Sequence, residues 1–178
     1  MTDRRPAVAE IERAIRNVPD FPKPGIQFKD ITPVLADARL FASSIELLTA
    51  GYQPGMVDAV VGIDARGFIF AAAAALKLET GFVPIRKTGK LPFQTLEEGY
   101  ALEYGTASVA VHVDALKPGS RVLIIDDLLA TGGTAAAAAA LVKRLGATIL
   151  EISFLIELSF LGGRKRLAGH VVRSLVVY

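Results

Sequence analysis

The stretch VLIIDDLLATGGTAAAAAAL, positions 122–141, leaves a folding chain few choices. Val122, Leu123, Ile124 and Ile125 follow one another with no polar alternation. A strand of that kind buries both faces, so it belongs in the middle of a parallel sheet covered by helices. The run stops at two adjacent carboxylates, Asp126 and Asp127. A small glycine-bearing turn follows, then an alanine-rich segment of high helix propensity. Strand, turn and helix in that order put the turn at the carboxyl end of the sheet, where open α/β sheets take their ligands.

The turn reads as an anion site. Ala130, Thr131, Gly132, Gly133 and Thr134 contain no Gly-Lys-Ser/Thr, so this is no Walker A loop. Nor are the glycines spaced as in a dinucleotide fingerprint, because Gly132 and Gly133 are adjacent. They still let several backbone N–H groups converge at a helix N-terminus, with its partial positive charge. Thr131 and Thr134 add hydroxyl donors, and the whole suits a phosphomonoester. Two carboxylates beside a phosphate must face something else. Ribose hydroxyls meet that need, because an ionised carboxylate only accepts hydrogen bonds and a vicinal diol donates them. The same charges could stabilise a cationic sugar ring or reach Mg2+ through water. The pattern alone also allows an acidic pair at a helix start with no ligand.

Elsewhere, VAEIERAIRNV sets Val8, Ile11, Ile15 and Val18 on one helical stripe. PDFPKPGIQFKDITPV, rich in proline, predicts an irregular ordered loop or hood. A short amphipathic helix is expected over 40–50. MVDAVVGI, ARGFIFAAAAALKL and GFVPI then read as strand, helix, strand. Further strands are expected at 107–113, 121–125 and 148–156, with a helix between the last two ending near Gly146. ASVAVHVD alternates, which places one face of that strand in solvent. These elements predict an α/β fold, a doubly wound, mostly parallel sheet flanked by helices, as one domain over 1–178.

Composition narrows the function classes. Hydrophobic residues make up 52% of the chain. Much of that is alanine, and no uninterrupted apolar stretch approaches the roughly 20 residues that span a bilayer. The N-terminus mixes both charge signs and lacks an apolar core, unlike a signal peptide. With no cysteine there is no disulfide framework or thiolate metal site. The formal net charge of +2 is too small to point to nucleic acid. A soluble, cytoplasmic protein with no membrane or nucleic-acid partner is expected.

VLIIDDLLATGGT resembles the phosphoribosyl diphosphate (PRPP) binding motif of type I phosphoribosyltransferases. DFPKPGIQFKDITPVL, IDARGFIF and IRKTGKLPFQT…YALEYG extend the resemblance to the adenine-specific members over nearly the whole chain. It implies transfer of the phosphoribosyl group of PRPP to adenine N9, giving AMP and diphosphate, with Mg2+ bridging diphosphate and ribose. It also implies a homodimer. In that resemblance Asp126 and Asp127 hold the ribose hydroxyls, and Ala130, Thr131, Gly132, Gly133 and Thr134 cradle the 5′-phosphate. Arg66, Arg86, Lys87 and Lys90 take the diphosphate. Both cationic stretches follow apparent strand ends, which independently puts them on the ligand edge. On the residues alone, Lys87 and Lys90 also fit a solvated loop.

Adenine is expected under the N-terminal hood, about 1–35, with Phe28 stacking on the ring and the backbone of Gln27 and Lys29 reading its edge. Without the resemblance Phe28 reads as a core plug. Glu103 resembles the family's catalytic-loop glutamate that handles the purine proton, and the adjacent Tyr104 is expected to pack against the substrate when the loop closes. By itself Glu103 reads as an exposed strand residue. Residues 86–104, centred on 93–100 with Gly99, are expected to form a mobile lid. The chain departs from the family pattern at Ala71, where a glycine is expected after Phe70. A PRPP-sensing regulator and a phosphoribosyltransferase for another base are the competing functions.

Overall fold

A computed structural model describes residues 8–101 and 105–178. It divides into two compact units, one ending at Leu47 and one covering Leu48–Tyr178. The first contains helix α1 (Val8–Ala14), strands β1 (Arg16–Pro19) and β2 (Gln27–Asp30), helix α2 (Thr32–Ala36) and most of α3 (Ala38–Leu48). β1 and β2 pair antiparallel, with Val18 opposite Phe28. Two expectations change here. The helical stripe stops short of Val18, because a residue that precedes proline is driven out of the α region and into extended backbone. The expected irregular loop is in part a hairpin. Its prolines interfere little, since Pro22 and Pro24 fall in the connection and Pro19 at a strand end. The Asp20 carboxylate closes the turn by accepting from the Gly25 N–H at 2.7 Å.

The second unit is a seven-stranded sheet. Its elements are β3 (Ala59–Ile63), α4 (Gly67–Lys77), β4 (Gly81–Lys87), β5 (Thr95–Ala101), β6 (Thr106–His112), β7 (Arg121–Leu129), α5 (Gly133–Arg144), β8 (Thr148–Glu157) and β9 (Val172–Val177). Two 3-10 turns, Ser159–Leu161 and Gly163–Leu167, join β8 to β9. The strand order is β5-β6-β4-β3-β7-β8-β9. β4, β3, β7, β8 and β9 run parallel, and β6 and β5 complete one edge antiparallel. This is the mostly parallel, helix-flanked sheet that the alternating elements predict. The chain leaves β3 toward β4 and leaves β7 toward β8, so the topological switch lies between β3 and β7.

β3 is buried along its whole length, and so is the apolar part of β7. Val61, Ile63, Val83 and Ile85 share a cluster with Ala135, Ala138 and Leu141 of α5. Alternation along β3 turns Gly62 to the other face, toward α4. A Cβ at Gly62 would lie 2.7 Å from Ala71 Cβ and 2.7 Å from the Phe82 ring. Ala71, the residue at the family departure, is fully buried at this contact. The thin side chains of α4 and α5 thus let the helices lie close on the sheet. Among the described residues, no helix is long and apolar enough to cross a membrane.

One further expectation is corrected, and part of the span expected as a lid has regular structure. β7 does not end at Ile125; it carries both aspartates and runs to Leu129, because β8 continues alongside it to Glu157. Residues 95–101, inside the expected lid, form β5 and pair in register with β6. Leu96 and Tyr100 pack against the core on one face, a period-2 pattern that the eye drawn to Gly99 passes over. Arg144 ties the strand down, donating to Glu97 O at 2.7 Å and to the Glu98 carboxylate at 3.0 Å.

The Gly62 contact makes a direct prediction. Gly62→Val should destabilise the protein by about 1–3 kcal/mol, the usual effect of overpacking. Denaturant unfolding measures it; an unchanged midpoint would mean that α4 can back away from the sheet.

Candidate functional site

At the switch point a pocket of about 320 Å³ opens, lined by residues 63–66 and 126–135. It is built wholly within the second unit, from the carboxyl ends of β3 and β7 and the turns that follow them. β3 ends at Ile63, Asp64 and Ala65 are joined by a cis peptide, and α4 begins at Gly67 with Arg66 as its N-cap. β7 supplies Asp126 and Asp127. Gly132, at φ 80°, caps the N-terminus of α5, and no side chain fills the cap. Its left-handed conformation is one that glycine adopts without the strain a side chain brings.

Asp127 is buried, and its Oδ2 lies 2.6 Å from Arg66 Nε. Asp126 accepts a hydrogen bond from the Asp127 N–H at 2.9 Å. Burial pushes the Asp126 carboxyl well above the usual carboxylate range, and the adjacent charge of Asp127 pushes it further. The Asp127 amide and Arg66 offset only part of this. The carboxylate also packs on the start of α4, where a methyl group at Gly67 would collide with it. Asp64 was not singled out in the sequence, yet its carboxylate lines the pocket and accepts from Arg86 Nε at 3.0 Å. The available signal was the one that marks Asp126, a carboxylate closing an apolar strand.

The phosphate-type turn is shaped from behind. Gly163 is buried against it so closely that a Cβ there would overlap Ala130 O and lie 2.9 Å from Gly132 N. A Cβ at Gly132 would in turn collide with Gly163 O. Tyr100 covers Gly133, whose Cβ would sit 3.0 Å from the Tyr100 ring. No local pattern in the sequence marks Gly163, and the alternation of 95–101 does not show that Tyr100 meets Gly133, since the partners lie far along the chain.

The structure therefore brings together Arg66, Asp126, Asp127, Ala130, Thr131, Gly132, Gly133 and Thr134 in one pocket. Arg86 reaches its rim through Asp64 and also donates to Lys90 O at 3.1 Å. Lys87 and Lys90 are exposed and do not line it. Gln27, Phe28 and Lys29 lie on β2 of the first unit. There Phe28 meets Phe21 edge to face, centroids 5.0 Å apart, and Lys29 Nζ donates to Asn17 Oδ1 at 2.6 Å. Glu103 and Tyr104 lie outside the described residues. Among the described residues, no three His, Cys, Asp or Glu side chains converge as a metal cluster would. Chemically, the pocket offers an amide-lined anion cradle beside a pair of hydrogen-bond-accepting carboxylates and an arginine.

Comparison with known proteins agrees. A family described as phosphoribosyl transferase domain matches residues 27–173. The adenine phosphoribosyltransferase of Acidothermus cellulolyticus is 61% identical, covering 91% of this chain and 92% of its own. The crystal structure of adenine phosphoribosyltransferase from Rhodothermus marinus superposes with a TM-score of 0.91 at 52% identity, covering 96% of this chain and 98% of that one. The Saccharomyces cerevisiae adenine phosphoribosyltransferase has a TM-score of 0.87 at 39% identity, covering 94% of this chain and 97% of that one. It was solved with adenine and an imino-altritol bisphosphate.

The raised Asp126 carboxyl has a thermodynamic signature. A carboxyl whose folded-state value lies above its unfolded one favours folding when protonated. That contribution is full below the unfolded value and is lost as pH rises through the raised folded one. Asp126→Asn should therefore raise the melting temperature at neutral pH, by about 2–4 °C for roughly 1 kcal/mol in a domain of this size. The gain should shrink as pH falls into the ordinary carboxylate range. Calorimetry across pH checks it; a pH-independent difference would contradict the raised value.

Proposed function

The chain belongs to the phosphoribosyl transferase domain family, and from that premise we propose that it is an adenine phosphoribosyltransferase of purine salvage. It joins N9 of adenine to C1′ of PRPP and releases AMP and diphosphate. The observation that carries the site assignment is a pocket in which an acidic pair adjoins a glycine-bearing helix start. A ribose 5-phosphate bears a diol and a terminal dianion, the two groups that those features recognise.

Asp126 and Asp127 accept hydrogen bonds from the ribose 2′ and 3′ hydroxyls. The amides and hydroxyls of Ala130, Thr131, Gly132, Gly133 and Thr134 hold the 5′-phosphate. As the bond from C1′ to the diphosphate oxygen breaks, the ring takes on oxocarbenium character, and the electron pair leaves with the diphosphate. The carboxylates below the ring stabilise that charge, so catalysis is mainly positioning and electrostatics. Arg66, Arg86, Lys87 and Lys90 are assigned to the diphosphate. Arg66 shares its charge with Asp127 at 2.6 Å, which links the cationic and anionic halves of the site.

Adenine is assigned to Phe28 by stacking and to the backbone of Gln27 and Lys29 by hydrogen bonds. A backbone carbonyl that accepts from the 6-amino group meets only another acceptor in a 6-oxopurine, a mismatch that sites reject strongly. Glu103 is assigned the imidazole proton that adenine loses on bonding to C1′, and Tyr104, the next residue, is assigned to the substrate on loop closure. Hard oxygen donors suit Mg2+, and two adjacent carboxylates lining the pocket supply them. Mg2+, held mostly by the substrate and through water by Asp126 and Asp127, would neutralise the departing diphosphate. We assign a homodimer and a cytoplasmic location as part of the same reading.

Two measurements test it. In thermal-shift screening with PRPP and Mg2+, adenine should stabilise the protein beyond hypoxanthine or guanine; a 6-oxopurine preference overturns the substrate. Asp127→Asn should lower kcat/KM for PRPP by about 10²-fold or more, as loss of a preorganised electrostatic group does. Unchanged kinetics would remove the diol role.

A further inference from the structure

The phosphate turn rests on Gly163, so whatever holds Gly163 holds the turn. The residue after it, Arg164, grips both strands that flank the 3-10 turn. Its Nε donates to Glu157 Oε1 at 3.0 Å, and its Nη2 forms a close ion pair with Glu157 Oε2. Nη1 donates to Val172 O at 2.8 Å, and Nη2 reaches Ser174 Oγ at 3.3 Å. Ser174 Oγ donates in turn to Glu157 Oε2 at 2.7 Å. Glu157 itself sits at the end of β8, opposite Leu129, the last β7 residue before the turn. The Leu158 N–H donates to Leu129 O at 2.9 Å, extending that pairing.

Glu157 is buried, its side chain 6% exposed, whereas Arg164 is half exposed. The guanidinium holds the Glu157 carboxyl below its usual range, so the pair stays ionised at neutral pH. A buried carboxylate satisfied by one arginine and one serine is costly to disturb, because breaking the pair strands its charge. The clamp fixes the 3-10 turn, and Gly163 has no side chain to cushion its backbone from residues 130–132. Displacement of Arg164 is thus transmitted to the turn by direct backbone contact.

We propose that Arg164, through its clamp on Glu157 and Ser174, is a positioning residue for the phosphate turn, pressing Gly163 against Ala130 and Gly132 to set the turn's shape for a phosphomonoester. Arg164 does not line the pocket and acts only through that contact. The inference rests on the assignment of residues 130–134 to the 5′-phosphate.

Arg173 supplies a control on the same two strands. It donates to Glu151 Oε1 at 2.7 Å and to Leu48 O at 2.9 Å, near the opposite end of β8 from the turn. The test is the dissociation constant, by calorimetry, of ribose 5-phosphate and separately of pyrophosphate with Mg2+, for wild type, Arg164→Gln, Arg164→Lys, Gly163→Ala and Arg173→Gln. Arg164→Gln and Gly163→Ala should weaken ribose 5-phosphate about tenfold while pyrophosphate changes less than about twofold, since only one end of the substrate is misplaced. Arg164→Lys should recover part of the loss, and Arg173→Gln should alter neither ligand. Equal weakening of both ligands, or the same pattern in Arg173→Gln, would reduce the clamp to general stability and overturn the proposal. If Arg164→Gln does not fold, Ser174→Ala, which removes one contact of the clamp, carries the same readout; an unchanged ribose 5-phosphate constant there overturns it. Wild type that binds no ribose 5-phosphate removes the phosphoribosyl reading itself. Wild-type binding that folded variants retain removes the clamp alone.

Discussion

Two carboxylates carried side by side within a central strand are costly to this protein, and the pocket is organised around them. Burial, and then the neighbouring charge of Asp127, raise the affinity of the Asp126 carboxyl for protons. Arg66 at 2.6 Å from Asp127 and the Asp127 N–H at 2.9 Å from Asp126 relieve that strain only in part. A ligand that donates hydroxyls to the pair, or brings a cation near it, completes the relief. Binding energy and the strain on the acidic pair are two sides of one arrangement. On the proposed function, that is how a site with little side-chain chemistry of its own acts on a reacting sugar.

Around the acids, the shape of the pocket comes from places where side chains are missing. Gly67 lets the Asp126 carboxylate approach the start of α4, and Gly62 lets α4 lie against the sheet through Ala71. Gly132 and Gly163 bring two backbones into contact behind the turn at 130–134. Each of these contacts leaves no slack, so the positions of the acids, the arginine and the turn are mutually determined. Polar clamps at both ends of β8, Arg164 on Glu157 and Arg173 on Glu151, fasten the neighbouring strands. The edge strand β5 joins the same scheme through Tyr100 over Gly133 and Arg144 on Glu97.

Much of this could be read in one dimension because its causes are local. The unbroken apolar run before Asp126 demands a central strand. Adjacent glycines with flanking threonines at a helix start advertise an anion cradle, and Arg66 at the head of an alanine helix belongs to the same edge. Features that depend on a partner strand were misjudged. β7 runs on through the aspartates because β8 continues beside it, and nothing within 122–141 reveals that length. Val18 looked helical by spacing, but Pro19 after it and Phe28 across from it made it strand. Residues 95–101 carried an alternation of their own, and Gly99 hid it. The significance of Asp64 is its contact with Arg86, made across two neighbouring strands, which no local pattern records.

The sequence by itself determined the class of fold, the strand that anchors it and the chemistry of the turn, since these follow from periodicity, propensity and residue type over short stretches. Only the tertiary structure decided which residues meet. It set Gly163 behind the turn at 130–134, Asp64 on Arg86 and Gly67 under Asp126. Contacts of that kind join positions distant along the chain, and their identity rests on strand order, register and the absence of a Cβ, none of which a local pattern records.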